Sequence, residues 1–412
     1  MPAGCIMKKE NFDPAAAGLS LKRLQNVDMY LQRIVDEGKA AGAAGMITRH
    51  GIPAYYSSFG MRDREKKAPL ADSDIYRIWS MTKTFTVAAA MTLYEKGLFR
   101  LHQPIADFLP AYTNMQVAEL DKRGILSLVP AKRPITFEHL FTMTSGMPYP
   151  GGDSHSAHFM ADLNKKAARD EARGKPWNTE RMISEAAKTP LCFHPGDQWM
   201  YGFSHDILGR LIEVISNKKL SDYLSETIFK PLGLADTAFY VPKEKQARVV
   251  KPYRYGPKGL SEITDMERDN AAAEAPAFES GGGGLCSTMA DCSRYAQMLL
   301  NNGKLGNERI LSRKTIELIR ANHCDESLLR PSFFPHMGGY GYGLGVRTML
   351  DTAKAGLNGS AGEWAWDGYM GTYYLVDPEE EMTALFFIQL VSGINSELQR
   401  GFVQTVYGAI DD

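Results

Sequence analysis

Ile78-Trp79-Ser80-Met81-Thr82-Lys83-Thr84-Phe85-Thr86-Val87-Ala88-Ala89-Ala90-Met91-Thr92-Leu93-Tyr94-Glu95-Lys96-Gly97 is the stretch from which the rest of the chain is read. Apolar and small residues fill Phe85 to Leu93, and Gly97 stands where a left-handed residue closes a helix. The expectation is a buried helix that begins at or just before Ser80. Residues three apart on a helix are surface neighbours, with Cβ atoms roughly 5–6 Å apart, so Ser80 and Lys83 bring a hydroxyl and an amine together. A serine hydroxyl is a weak nucleophile until a base takes its proton, and a lysine is a base only when neutral. An ordinary lysine titrates about 3.4 units above pH 7, so neutralising it costs on the order of 4.6 kcal/mol. Burial at a helix N-terminus supplies this, because desolvation and the positive end of the helix dipole both disfavour the ammonium.

The tetrapeptide alone does not decide the matter. Ser216-Asn217-Lys218-Lys219 repeats the spacing, but it follows the apolar pattern Ile207 to Ile215 and reads as a helix C-terminus with solvated lysines. The bland reading of Ser80 and Lys83 is likewise a helix cap and a surface cation. Context has to separate them.

Composition sets the bounds. At 412 residues with 44% hydrophobic and 10% aromatic content, the chain has material for a large core and for two or three domains. A formal net charge of -1, with no lysine or arginine run, argues against a nucleic-acid partner. No stretch approaches the roughly 18–20 apolar residues of a membrane span. Met1 to Leu19 carries Lys8, Lys9, Glu10 and Asp13 without a continuous apolar run, so no secretory signal is expected there. Cys5, Cys192, Cys286, Cys292 and Cys324 are odd in number and form no CxxC or Cys/His spacing, which fits a reduced cytoplasmic protein. The nine histidines form no HExxH or HxH pair, so neither metal nor cofactor is expected. His139 and His205 read as structural. Oligomeric state is not legible.

The period of the apolar residues orders the chain. Ser20 to Glu37 is an amphipathic helix; Ala41 to Thr48 and Ile52 to Phe59 flank the tight turn His50-Gly51. Short helices are expected at Leu101 to Leu109 and Thr136 to Phe141. Asp153 to Lys175, rich in charge, reads as a helical insertion or lid. Helical patterns return at Thr179 to Thr189, Phe203 to Ile215 and Leu220 to Phe229, whereas Val241 to Pro276 looks irregular. Four glycines, Gly281 to Gly284, mark flexibility or a backbone pressed against a neighbour, and Thr288 to Asn301 is helical. Strands are expected at Gly343 to Val346, Gly371 to Val376 and Met382 to Leu390, with Asp377-Pro378-Glu379-Glu380 as a hairpin connection and Ser396 to Ile410 as the closing helix. Strands thus lie at both ends and helices in the middle. The expected fold class is α/β of the α+β type: an antiparallel sheet domain from residues 1–75 and 290–412, a mostly helical domain over 76–289, and a cleft between them.

A nucleophile at Ser80 needs a second proton-transfer group and an oxyanion hole. His194-Pro195-Gly196-Asp197-Gln198-Trp199-Met200-Tyr201-Gly202-Phe203 supplies a Pro-Gly turn that delivers Tyr201 just before a helix. A phenol beside an ammonium is expected to have its proton affinity lowered. Ser80-Met81-Thr82-Lys83, the turn leading to Tyr201, and Trp366-Asp367-Gly368 together resemble the three motifs of the class C β-lactamase-like serine hydrolases, with family VIII carboxylesterases as the nearest branch. His139 to Gly146, Pro231 to Leu234, Ser280 to Leu285 and Tyr342 to Gly345 follow the same pattern in order, so the resemblance runs from about Leu24 to Leu390.

The resemblance implies that Ser80 is acylated and that Lys83 and Tyr201 share general-base and general-acid work. It implies an oxyanion hole from the backbone N–H groups of Ser80 and Tyr369, and substrate contacts from Trp366, Asp367, Gly368 and Phe203, without a cofactor. Two departures matter. Tyr201-Gly202-Phe203 lacks the asparagine of a lactamase Tyr-x-Asn motif, and the literal Tyr112-Thr113-Asn114 lacks the turn and helix and reads as a loop. Trp366-Asp367-Gly368 replaces a Lys-Thr-Gly strand, removing the cation and hydroxyl that receive a β-lactam carboxylate. A small-molecule carboxylic ester is therefore the expected substrate. Acyl transfer, weak β-lactam or D-aminopeptidase-like amide hydrolysis, and a non-catalytic acyl- or peptide-binding relative are the alternatives. A Ser-His-Asp hydrolase is the rival class, but no serine sits in a GxSxG elbow.

Overall fold

The computed structural model describes residues 11–121, 123–152, 154–266, 269–329 and 337–412. The reading of the N-terminal charges and Cys5 over residues 1–10, and the first residue of the expected insertion, Asp153, lie outside them.

The fold is of the α/β class, helices against an antiparallel sheet. Its eight strands run in the spatial order Tyr340–Tyr342, Arg347–Met349, Trp364–Asp367, Tyr373–Asp377, Met382–Phe387, Gly42–Arg49, Ile52–Asp63 and Ala68–Pro69. Strands from the two ends of the sequence meet in its middle, where Gly42–Arg49 pairs with Met382–Phe387 through the register Met46↔Leu385 and Ile47↔Ala384. Gly42–Arg49 is buried along its whole length, as a central strand covered on both faces must be. His50 and Gly51, both at positive φ, make the turn into Ile52–Asp63.

Side chains alternate across a sheet, and here each face owns a core. Trp364, Trp366, Tyr374, Leu385 and Phe387 join the core shared with the helices Thr82–Glu95, Ser204–Ser216 and Met289–Leu300. Ala365, Tyr373, Leu375 and Phe386 face the other way, onto the helices Leu21–Asp36 and Asn395–Tyr407.

Several expectations are corrected. Gly343 to Val346 is not a strand but the reversal between Tyr340–Tyr342 and Arg347–Met349, where Gly345 adopts φ +77°. The Gly371-led strand starts two residues later, because Gly371 is in a turn at φ +86°. Val241 to Pro276 is not wholly irregular: Tyr253–Gly256 and Gly259–Glu262 form a hairpin, and Leu390–Val391 adds to it in parallel. A second hairpin, Gln116–Leu120 with Leu126–Pro130, is not expected from the sequence, since Leu120, Ile125 and Leu128 are exposed and only Val117 is fully buried. Residues 154–175 hold the helix His155–Glu171.

Candidate active site

The helix Thr82–Glu95 is buried on nearly every side, with Phe85 stacked on Tyr295 at 3.8 Å between ring centroids. Leu98 and Gly97 donate to the carbonyls of Leu93 and Tyr94, closing its end around a left-handed Gly97 as the sequence suggests. Its start differs from expectation. Ser80 lies in a separate 3₁₀ turn, Trp79–Met81, ahead of the α-helix, and Trp79 sits at φ +43°. A bulky residue with positive φ is strained. The strain falls on the residue before the hydroxyl, and Trp79 is held there against Tyr369 in an edge-to-face contact of 5.7 Å.

Lys83 is fully buried. Its Nζ lies 3.2 Å from Ser80 Oγ, 3.2 Å from Tyr149 Oη and 2.6 Å from the carbonyl oxygen of Gly282. Burial pulls its pKa down to about 7, against a weaker upward pull from Asp206 and Asp367. The desolvation that a basic lysine requires is therefore built into the fold.

Tyr201 comes in from the segment after the Pro195-Gly196 turn. Residues 200–203 lie beside the strap 143–149: Met200 N–H donates to Met143 O at 2.9 Å and Phe203 N–H to Met147 O at 3.0 Å. A Cβ on Gly202 would stand 2.0 Å from Met147 O, so only glycine permits this approach. The pairing sets the Tyr149 and Tyr201 rings 5.7 Å apart and places the Tyr201 ring 4.6 Å from Lys83 Nζ. Burial holds the Tyr201 phenol well above its ordinary value, and hydrogen bonding to Ser80 opposes this only in part. The sequence-based expectation of a lowered phenol is thus overturned, because desolvation outweighs the hydrogen bonds with Ser80 and Trp366.

Trp366, 2% exposed, packs against Tyr201 at 5.7 Å and Tyr342 at 5.4 Å on the same face as Lys83. Asp367 does not share that face. Its register partner is Tyr373, which belongs to the opposite core, and its carboxylate takes a bond of 2.6 Å from Arg347. Successive strand residues point to opposite sides, so the Asp367 side chain turns away from the Trp366 face, while its charge still raises the proton affinity of Lys83. Phe203 is buried, its ring edge-on to Tyr149 and tilted against Phe278. Gly368 N–H is tied to Thr372 O at 2.7 Å, fixing the turn that presents Tyr369, which is 60% exposed.

Of the other matches, Ser216 ends its helix before a left-handed Asn217, and Lys218 pairs with Glu226, as solvated residues do. Tyr112 is buried and donates to Ile183 O. His139 caps the helix Phe137–Phe141 by accepting from Thr136 N–H. Tyr149 and Asp206 were not found from sequence. Their only signal was position, Tyr149 three residues beyond Gly146 and Asp206 in the first turn after Tyr201.

Residues 27–403 match the family described as Beta-lactamase. The chain belongs to the Beta-lactamase family. Within it, protein Rv1367c of Mycobacterium tuberculosis is 31% identical over 368 residues, covering 87% of this chain and 88% of its own. Esterase EstB of Burkholderia gladioli is 25% identical over 397 residues, covering 90% and 92%. The structure of EstCE1, described as a hydrolase with promiscuous acyltransferase activity, matches with a TM-score of 0.77 at 22% identity over 94% of this chain and 98% of its own. Among the described residues of this Beta-lactamase-family chain, no helix is long and apolar enough to cross a membrane and no group of three His, Cys, Asp or Glu side chains is placed to hold a metal.

Proposed function

We propose that the protein is a serine hydrolase that cleaves short-chain carboxylic esters through an acyl-Ser80 intermediate. The observation that carries this reading is Lys83: fully buried, held near neutrality by that burial, and 3.2 Å from Ser80 Oγ. Neutral Lys83 accepts the Ser80 proton as Oγ attacks the ester carbonyl. The tetrahedral oxyanion is received by the backbone N–H groups of Ser80 and Tyr369, a pair of donors in which one alone is worth about 3–4 kcal/mol. As the C–O bond breaks, the leaving alkoxide takes a proton from Tyr201, which is reprotonated from Lys83. Tyr201 is suited to donate because burial keeps it protonated. Water then attacks the acyl-enzyme and the proton path runs in reverse.

Trp366 stands where a Lys-Thr-Gly strand has its lysine, and the nearby Arg347 is paired with Asp367, which favours esters over β-lactams. On this reading the cleft lies between the sheet domain, residues 1–75 and 290–412, and the helical domain, 76–289. The cysteines described, Cys192, Cys286, Cys292 and Cys324, are free thiols, which supports a cytoplasmic setting. Transfer of the acyl group to an alcohol is the second reading, favoured by the family likeness to a hydrolase with transferase activity, because an acyl-enzyme yields to whichever nucleophile reaches it.

The test is incubation with a serine-reactive phosphonate and a p-nitrophenyl ester, read by intact mass and peptide mapping. One adduct on Ser80 and release of p-nitrophenol are expected; an adduct elsewhere, or none, rejects the mechanism. Product partition at rising alcohol concentration separates hydrolysis from transfer.

A further inference from the structure

Lys83 is held by more than its serine. Around Nζ, Gly282 O and Tyr149 Oη lie at 2.6 and 3.2 Å, and both lead to one carboxylate. Asp206 Oδ2 is 3.2 Å from Tyr149 Oη, while Asp206 Oδ1 accepts from Gly282 N–H at 3.2 Å and from the Ser280 hydroxyl. Asp206 is 1% exposed. A Cβ on Gly282 would stand 2.3 Å from Asp206 Oδ2 and 2.5 Å from Tyr149 Oη, so the backbone is pressed directly against the pair.

Resting on the acyl-serine reading above, we propose that Asp206 is the positioning residue that aims the Lys83 lone pair at Ser80, by obliging Tyr149 to act as an acceptor beside the Gly282 carbonyl. A neutral amine has two N–H bonds and one lone pair. A carbonyl oxygen only accepts. A phenol does either, and a Tyr149 that donated to Lys83 would occupy the lone pair that must take the Ser80 proton. With Asp206 Oδ1 already accepting from the Ser280 hydroxyl and Gly282 N–H, Asp206 Oδ2 accepts the Tyr149 O–H, as an ionised carboxylate only accepts. The two Lys83 N–H bonds then go to Gly282 O and Tyr149 Oη, and the lone pair is left facing Ser80 Oγ–H. After proton transfer the ammonium keeps both bonds and gains its third N–H toward Ser80 Oγ; no other proton moves and charge is balanced between Lys83 and Asp206. An aspartate that fixes which atom of a base carries a proton is known to govern catalysis without reacting itself.

This assigns different fates to two conservative variants. In Asp206→Asn the amide N–H₂ donates to Tyr149 Oη, which turns the phenol's proton onto the Lys83 lone pair. Acylation should fall about 100-fold or more. Tyr149→Phe deletes one acceptor but leaves the lone pair open, and should cost about 10-fold. The double variant has no phenol to misdirect, so it should acylate faster than Asp206→Asn alone, by at least about fivefold. A residue that merely supports the fold would make the double variant slower than either single one.

The rate is to be measured as phosphonate adduct formation at Ser80, across pH, on variants whose Tm is recorded alongside. Removing the Asp206 charge should also move the acid limb to lower pH, since Asp206 raises the proton affinity of Lys83; Asp367, Tyr201 and His205, the other titratable groups interacting with it, are unchanged in these variants. Asp206→Asn acylating at the parent rate, or a double variant slower than Asp206→Asn, overturns the proposal while leaving the hydrolase reading intact. Absence of any adduct on the parent protein would sink that reading first.

Discussion

At the scale of the residue, one buried amine carries a cost and a function together. The folded-state pKa of Lys83 is depressed to about 7 from an ordinary 10.5, so between those values the unfolded chain binds a proton that the folded chain does not. Stability therefore rises with pH across that window, and at pH 8 the neutral lysine is a destabilising residue. Lys83→Met should lower kcat/KM at least about 1,000-fold and raise the Tm at pH 8, a gain that shrinks as pH approaches 10.5. In the parent enzyme kcat/KM should climb with pH through about 7 and then level off, because the basic form of Lys83 is the competent one. Ser80 and Lys83 were legible because three-residue spacing is a local property of a helix, and Tyr201 because a Pro-Gly turn precedes it. Tyr149 was not, since its place depends on the pairing of residues 143–149 with 200–203, more than fifty residues on. Which way the Asp367 side chain turns depends on the strand register, since a strand sends adjacent side chains to opposite faces.

At the scale of the element, the sheet carries a buried carboxyl as the helix carries a buried amine. Tyr407 Oη stands 2.7 Å from Glu363 Oε2 and 2.6 Å from Asp377 Oδ2, yet a phenol has a single proton for two carboxylates. Asp377 Oδ1 accepts from the Glu379 and Glu380 N–H groups, and Glu363 Oε1 accepts from the Tyr340 hydroxyl at 2.8 Å. Burial outweighs the hydrogen bonds from Tyr407 and Tyr340 and raises the Glu363 pKa. A raised folded-state value contributes stability that is complete below the unfolded value and lost as pH rises through the folded one. Glu363→Gln keeps a neutral donor there, so it should be more stable than the parent at pH 8, by about 1 kcal/mol, and close to it at pH 4.5. Urea melts at both pH values measure this. The strands Tyr373–Asp377 and Met382–Phe387 beside this cluster were legible in outline from their apolar runs, but their registers were not. The short hairpins were not, because few buried side chains and exposed leucines leave no period to detect.

At the scale of the whole molecule, the sheet separates two tasks. The face carrying Trp364 and Trp366 meets the helix of Ser80 and Lys83; the face carrying Ala365 and Phe386 meets the helices near the two ends of the sequence. Phe402 is fully buried on the second face, 5.3 Å from Phe386 and against Gly45. Phe402→Ala should cost about 3–5 kcal/mol of stability while leaving kcat/KM within about twofold well below its lowered Tm, as thermal melts and kinetics on one preparation would show. The assembly of one sheet from distant segments was legible because strand patterns cluster at both ends of the sequence.

The central claim is that a neutral, buried Lys83 makes Ser80 a nucleophile, and the titration of Lys83 itself tests it most directly. With lysine labelled at Nζ and Lys83→Met assigning the resonance, NMR should show Lys83 titrating near pH 7, with the acylation rate of Ser80 following the same curve. A Lys83 that stays charged to pH 10, or an acylation rate indifferent to its ionisation, would contradict the account.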